Sequence, residues 1–335
     1  MDSLSQLALG AAVGVAVMGR RTAVWKAALW GGVCGTLPDL DALIGRGDPI
    51  SDMTYHRTES HALFYQTLLA PVLAWLIARL QGEREHWRRW WLMVWLALVT
   101  HPLLDLMTVY GTQLGLPFTD HPYAVGSVFI IDPLYTLPLL VGLAAALMRP
   151  QGRGRAWNTA GLVLSTAYLA WGAAAQQHVT SIARASLPAD EQASARLLVT
   201  PTPFNTVLWR VVAVTPDGWR EGYHSLLDAE PRVHFEPYPR GNELYAPVRD
   251  NWHVARLAWF SKGFFKLTEQ GGELRISDLR MGMEPYYTFT FTVAERRGGA
   301  WVAVPPRLIQ QRPDLKRGLA WLWRRALGDP APLAR

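Results

Sequence analysis

The chain has 335 residues, of which 50% are apolar and only 18% charged; this excludes a disordered or fibrous chain. Its formal net charge is +6. The cations lie in loops beside apolar runs, which is not a nucleic-acid footprint, so no nucleic-acid partner is expected. Cys34 is the single cysteine, which excludes an internal disulfide and a zinc site built on thiolates.

Six apolar stretches come first, roughly 4–19, 23–37, 62–78, 90–109, 128–148 and 157–176. The last four are about 17–21 residues long, enough to cross a bilayer core. The first two are shorter and carry Gly10, Gly14 and Gly19, then Gly31, Gly32 and Gly35. Small residues at that spacing let membrane helices approach closely, although a buried hairpin in a soluble core has the same pattern. Asp2 stands where a signal peptide would be basic, and Arg20 and Arg21 follow the first apolar run, so an uncleaved first helix is expected. The 16 tryptophans suit rings placed between lipid and water.

Loop charge then gives an orientation. Residues 20–26, 79–89 and 149–155 hold ten of the twelve basic side chains in residues 1–180, and the alternate loops hold only Arg46 and Arg57. The positive-inside rule puts the first set in the cytoplasm. About six transmembrane helices are thus expected over 1–178, with the N-terminus and everything after the linker 179–196 on the outer, periplasmic side. A re-entrant first or second helix would reverse the later part.

From 197 the pattern becomes short and β-rich. Residues 207–214, the turn Thr215-Pro216-Asp217-Gly218 and residues 219–227 read as a hairpin. Further strands are expected over 254–260, 263–268, 273–280 and 286–293, giving a small antiparallel β-rich domain over 197–310. Residues 311–335 read as a basic amphipathic helix and tail, set either on a membrane surface or on the sheet domain.

Ligand-type side chains collect on the predicted outer face. Asp39 and Asp41 end the second stretch, His56 and His61 precede the third, His101 and Asp105 lie in the outer half of the fourth, and Asp132 starts the fifth. Four residues apart on a helix, His101 and Asp105 point the same way. Carboxylates inside a membrane are costly unless they have a partner, and a divalent ion shared with histidine is the natural one. Nitrogen and oxygen ligands without thiolate suit Zn, Mn or Fe, Zn best with this share of His. Each piece also has a plainer reading: a capping turn at 38–41, a solvated loop at 56–61, an interhelical hydrogen bond at 101–105, a helix cap at Asp132.

Several segments together resemble one family. They are Met1-Asp2-Ser3-Leu4-Ser5-Gln6, Leu37-Pro38-Asp39-Leu40-Asp41, His56-Arg57 with Ser60-His61, Thr100-His101-Pro102-Leu103-Leu104-Asp105, and Ile131-Asp132-Pro133-Leu134-Tyr135. The family is the YdjM-type metal-dependent hydrolases of the inner membrane, sometimes labelled LexA-binding. The resemblance spans roughly 1–150, with a weaker continuation to about 228 through Pro201-Thr202-Pro203-Phe204-Asn205. It implies a metal-binding membrane protein more directly than it implies a reaction. Asp41, His56, His101 and Asp105 are also distantly similar to part of the zinc-dependent phospholipase C and P1-type nuclease ligand pattern. That pattern includes a processed N-terminal amine and a second His-x-x-x-Asp/Glu pair, neither evident here, so one or two ions are expected rather than three.

The expectation is an integral membrane hydrolase acting on an amphipathic, lipid-like ester or phosphoester. Asp39, Asp41, His56, His101, Asp105 and Asp132 are its candidate metal residues. His61 and Glu59 are candidate proton carriers, and Arg57 a candidate holder of a substrate anion. Membrane lipids are the expected surroundings. The alternatives are a binding or scaffold protein with a structural metal, and an ion-coupled transporter, which the nearly apolar inner halves disfavour.

Overall fold

Helices form over all six apolar stretches. A computed structural model describes residues 1–150, 152–310 and 314–330. It contains α1 (Ser3–Met18), α2 (Val24–Thr36), α3 (Pro49–Tyr55), α4 (Leu63–Leu80), α5 (Trp87–Leu106), α6 (Pro133–Met148) and α7 (Arg153–Ser186). Among the described residues, only α4 is both long and apolar enough to cross a membrane, while α1 and α6 are apolar but shorter. Six clear crossings are therefore not what the helices themselves carry. α2 has 13 residues, α5 holds Arg88, Arg89, His101 and Asp105, and the 34 residues of α7 mix apolar with polar side chains.

The chain divides into two compact units, the first made of Met1–Ile44, His56–Ala173 and Pro203–Asn205. Its closest packing is the α1–α2 hairpin. A Cβ on Gly10 would lie 2.3 Å from the Gly31 carbonyl oxygen, and one on Gly14 would lie 2.2 Å from that of Ala27. The backbones touch where the small-residue spacing allows it. Glu83 in the α4–α5 turn ties this hairpin to the next, accepting from Thr22 Oγ1 at 2.7 Å and Trp90 Nε1 at 3.1 Å. Trp90, Met93, Val94 and Ala97 of α5 fill the core between α1, α2 and α4. The opposite faces expose Leu68, Val72 and Trp75 of α4, Leu137 and Val141 of α6, and Val163, Leu164 and Trp171 of α7. So much exposed apolar surface marks a lipid or protein contact.

The second unit comprises Gly45–Tyr55, Ala174–Thr202 and Thr206–Arg335. α7 continues to Ser186, through the start of the expected linker. One antiparallel sheet has the order β1 (Arg196–Pro201), β2 (Leu208–Val214), β3 (Trp219–Ser225), β4 (His234–Tyr238). The expected hairpin is β2–β3, closed by Thr215 N donating to Gly218 O at 3.0 Å. After α8 (Asn242–Tyr245) and α9 (Trp252–Phe260), a second sheet has the order β10 (Ala300–Leu308), β9 (Thr290–Arg297), β6 (Glu273–Asp278), β5 (Phe265–Gln270). The short β7 (Gly282–Met283) pairs with β8 (Tyr286–Tyr287).

Residues 254–260, expected as a strand, are helical. Asn251 caps α9 by accepting from His253 N, and Val254, Leu257 and Phe260 are buried at helical spacing. The run is too short for its apolar content to separate strand from helix. In α10 (Leu315–Ala326), Leu322 and Ala326 pack on Leu208, and Arg325 pairs with Asp228 at 2.5 Å. That is the sheet-packed form of the C-terminal helix; residues 311–313 and 331–335 of the expected helix and tail lie outside the described residues.

Candidate metal centre

Two short turns and one helix build the site. Pro38 opens a 3-10 turn over Leu37–Leu43. In such a turn residues two apart point in different directions, so Asp39 faces His101 while Asp41 faces His56. A second 3-10 turn, Glu59–His61, delivers His61. α5 presents His101 and Asp105 one turn apart on its buried face.

Single ligand atoms of Asp39, His61, His101 and Asp105 all lie within 4.8 Å of one another. Neighbouring groups fix which atoms face inward. His101 Nδ1 lies 2.6 Å from the Gly35 carbonyl oxygen. A carbonyl only accepts, so Nδ1 carries the proton and Nε2 the lone pair. Ser60 Oγ donates to Asp41 Oδ2 at 2.6 Å and therefore accepts from His61 Nδ1, 2.8 Å away. The lone pair of neutral His61 is then also on Nε2. These two Nε2 atoms face each other at 3.1 Å, and two lone pairs at that distance need a cation or a proton between them.

Asp105 completes the arrangement. Its Oδ1 receives the Met1 amino group, Gln6 Nε2 at 3.1 Å and Arg57 Nη2 at 3.2 Å. Its Oδ2 is buried without a hydrogen-bond partner, 3.3 Å from both His61 Nε2 and His101 Nε2. A buried anionic oxygen left unpaired is expensive. Asp39 Oδ1 adds a second anionic oxygen, 3.5 Å from His61 Nε2 and 3.4 Å from His101 Nε2. The four residues could hold one divalent ion; two imidazoles and two carboxylates suit Zn, Mn or Fe.

Burial alone would raise the Asp39 and Asp41 carboxyls, but the neighbouring His61 and His101 at Asp39, and hydrogen bonds from His56 and Ser60 at Asp41, hold both well below the usual carboxylate range. Burial opposes charge on His61, yet Asp105, Asp39 and Asp41 push it up to about 9. In the metal-free protein a proton is thus drawn to the place a cation would take.

His56 and Asp41 form an adjoining pair rather than part of the four-residue cluster. His56 Nδ1 donates to Asp41 Oδ1 at 2.8 Å. The other sequence candidates take varied places. His61, expected as a proton carrier, lies within the four-residue cluster that could hold an ion. Arg57 is buried, with Nη2 on Asp105, Nη1 donating to Thr108 Oγ1 at 3.3 Å, and its guanidinium 4.8 Å from the Tyr110 ring centre. That placement sets it against Asp105. Its φ of +66° is unusual for a residue with a side chain. Glu59 is exposed and accepts from Thr58 Oγ1 at 2.6 Å. Asp132 caps α6 through Leu134 N and accepts from Tyr168 Oη at 2.8 Å.

Gln6, Ser60 and the Gly35 carbonyl escaped the sequence reading. Gln6 had a signal, a lone amide in an apolar helix; it also donates to the His101 carbonyl at 3.2 Å. Ser60 and Gly35 had none, because their roles depend on tautomers.

A family model described as YdjM inner membrane protein matches residues 1–179, which contain every residue of the cluster. The chain is also similar to the uncharacterized protein YfhP of Bacillus subtilis (strain 168), with 23% identity over 313 residues, covering 88% of this chain and 90% of that protein. No solved structure matches it.

Proposed function

The chain belongs to the YdjM inner membrane protein family, and from that premise we propose that it is a multi-pass, metal-dependent hydrolase of the inner membrane. Its substrate class is an amphipathic, lipid-like ester or phosphoester. One observation carries the reading: two imidazole Nε2 atoms face each other at 3.1 Å beside the unpaired, buried Oδ2 of Asp105. Asp39, His61, His101 and Asp105 would hold the ion. A divalent ion held there supplies Lewis acidity and lowers the pKa of a water molecule towards neutrality.

The chain's own groups supply the rest. Arg57, Gln6 and the Met1 amino group hold Asp105 in register, as the outer partners of metal ligands commonly do. The Gly35 carbonyl and Ser60 hold the two imidazoles in their tautomers. Asp41 fixes His56 through Nδ1 and leaves Nε2 of this partly exposed ring to accept and return a proton. Asp39 and His56 are 22% and 21% exposed, whereas His61, His101 and Asp105 are fully buried, so access is from the Asp39–His56 side. The loop charges support placing that side, the N-terminus and the second unit outside the cytoplasm.

The same burial favours a second reading, a structural ion in a scaffold protein, since closed sites are typical of structural metals. Hydrolysis of short-chain phosphodiester and ester amphiphiles by the metal-loaded protein separates the two. Turnover that is lost on chelation and restored by one divalent ion supports the hydrolase. A metal-retaining protein without turnover on either class supports the scaffold.

A further inference from the structure

A cavity of about 550 Å³ opens in the second unit, far along the chain from the metal residues, lined by Arg240, Asn242, Tyr245, Trp259, Gly263 and Phe265 among others. This volume is in the usual range for small-molecule sites. Three aromatic side chains supply its apolar wall, with the Tyr245 and Phe265 rings 5.4 Å apart.

The charge at this cavity is one-sided. The Arg240 guanidinium lies 4.6 Å from the Phe265 ring centre, donating through Nε to the Phe265 carbonyl at 3.1 Å and through Nη2 to the Gly263 carbonyl at 2.8 Å. Those two bonds fix its plane without neutralising it. Arg196 approaches the same turn, donating to the Lys262 carbonyl, and its Nη1 would meet a Cβ on Gly263 at 2.6 Å. Among the described residues, no carboxylate pairs with either arginine. Burial, and then Arg196 itself, lowers the pKa of Arg240, as expected for two cations that lack a counter-ion.

The backbone is shaped to this arrangement. Lys262 and Gly263 have φ of +53° and +77°. They close the C-terminal end of α9, Lys262 N donating to the Trp259 carbonyl at 2.9 Å and Gly263 N to that of Ala258 at 2.8 Å. Arg240 holds the Gly263 and Phe265 carbonyls, both in residues that line the cavity.

We propose that this cavity binds an anionic amphiphile, with a phosphate-type oxyanion against Arg240, whose field the neighbouring Arg196 reinforces, and an aromatic or apolar body against Trp259, Tyr245 and Phe265. Guanidinium groups suit such oxyanions through charge-assisted, paired hydrogen bonds. The oxyanion could come from a lipid headgroup or from a soluble phosphate ester, which share this chemistry.

The test is calorimetric titration of the full chain in detergent, stripped of divalent ions so that the metal centre takes no phosphate. 1-Naphthyl phosphate, inorganic phosphate and 1-naphthol are the three probes. Saturable binding of the naphthyl phosphate is expected, with the other two at least about tenfold weaker. Arg240→Gln and Trp259→Ala should each weaken it by about tenfold or more while the thermal transition is kept. Should Arg240→Gln fail to fold, Trp259→Ala and Tyr245→Ala carry the comparison. Displacement by dihexanoyl phosphatidic acid identifies the lipid headgroup as the source, and failure to displace identifies the soluble ester. No saturable binding to wild type, or binding unchanged in the folded variants, would overturn the proposal.

Discussion

His61 Nε2 and His101 Nε2 face each other at 3.1 Å, each with its proton held on the far nitrogen by a neighbour, Ser60 for one and the Gly35 carbonyl for the other. Two neutral imidazoles gain nothing from this geometry. With Asp39 and Asp105 beside them, they form a site that draws positive charge, and the predictions below follow from that.

Metal binding should be linked to protons. His61 is held at about 9, against an ordinary value of 6.5, in the metal-free protein. A group raised on folding stabilises the fold fully below 6.5 and loses that contribution as pH rises through about 9. The metal-free chain should therefore lose thermal stability between those pH values. Metal must displace the same proton, so affinity should rise with pH over that window. Thermal melts with and without chelator, together with proton release on metal addition, check both signs.

Arg57→Gln should leave the fold but weaken metal affinity by about 10–100-fold, because it removes the guanidinium that orients Asp105. Competition against a chelator measures it. Were Arg57 instead a holder of substrate, affinity for metal would be unchanged and only KM would move.

Two further carboxylate and histidine positions separate neighbours from ligands. Asp132→Ala should keep the metal and lower stability by about 1 kcal/mol, the usual cost of a lost helix cap. His56→Ala should also keep the metal but lower hydrolysis by about 10²–10⁴-fold. Metal content and turnover of both variants, taken together, check this.

Gly31→Ala should damage the first unit, because its Cβ would lie 2.2 Å from the Gly10 carbonyl oxygen. Overpacking of this kind costs about 1–3 kcal/mol or more. Gly45→Ala is the control, since its Cβ meets nothing within 4 Å. Thermal unfolding in detergent should separate the two clearly.

The helices over the six apolar stretches, the β2–β3 hairpin and the shared direction of His101 and Asp105 were legible from spacing, because apolar period and i, i+4 geometry are local, whereas Asp39 joined them only through the loop charges. The roles of Arg57, His61 and Asp132 were not legible. Residue type allows Arg57 to hold either a substrate or a ligand, and its buried contact with Asp105 is a tertiary feature that no local pattern carries. His61 and His56 are five residues apart in one segment, and which becomes a ligand depends on the turn at Glu59–His61. α9 was misread because its apolar run is as short as a strand. The single clear span among six apolar stretches reflects the shortness of α1, α2 and α6 and the polar residues inside α5 and α7.

The central claim is one ion shared by Asp39, His61, His101 and Asp105. Elemental analysis of detergent-purified wild type beside folded His101→Ala, Asp105→Ala and Asp132→Ala tests it most directly. About one equivalent of Zn, Mn or Fe in wild type and in Asp132→Ala, lost from the other two, is the predicted result. A wild type that takes up no divalent ion even after reconstitution, or His101→Ala and Asp105→Ala proteins that keep theirs, would contradict it.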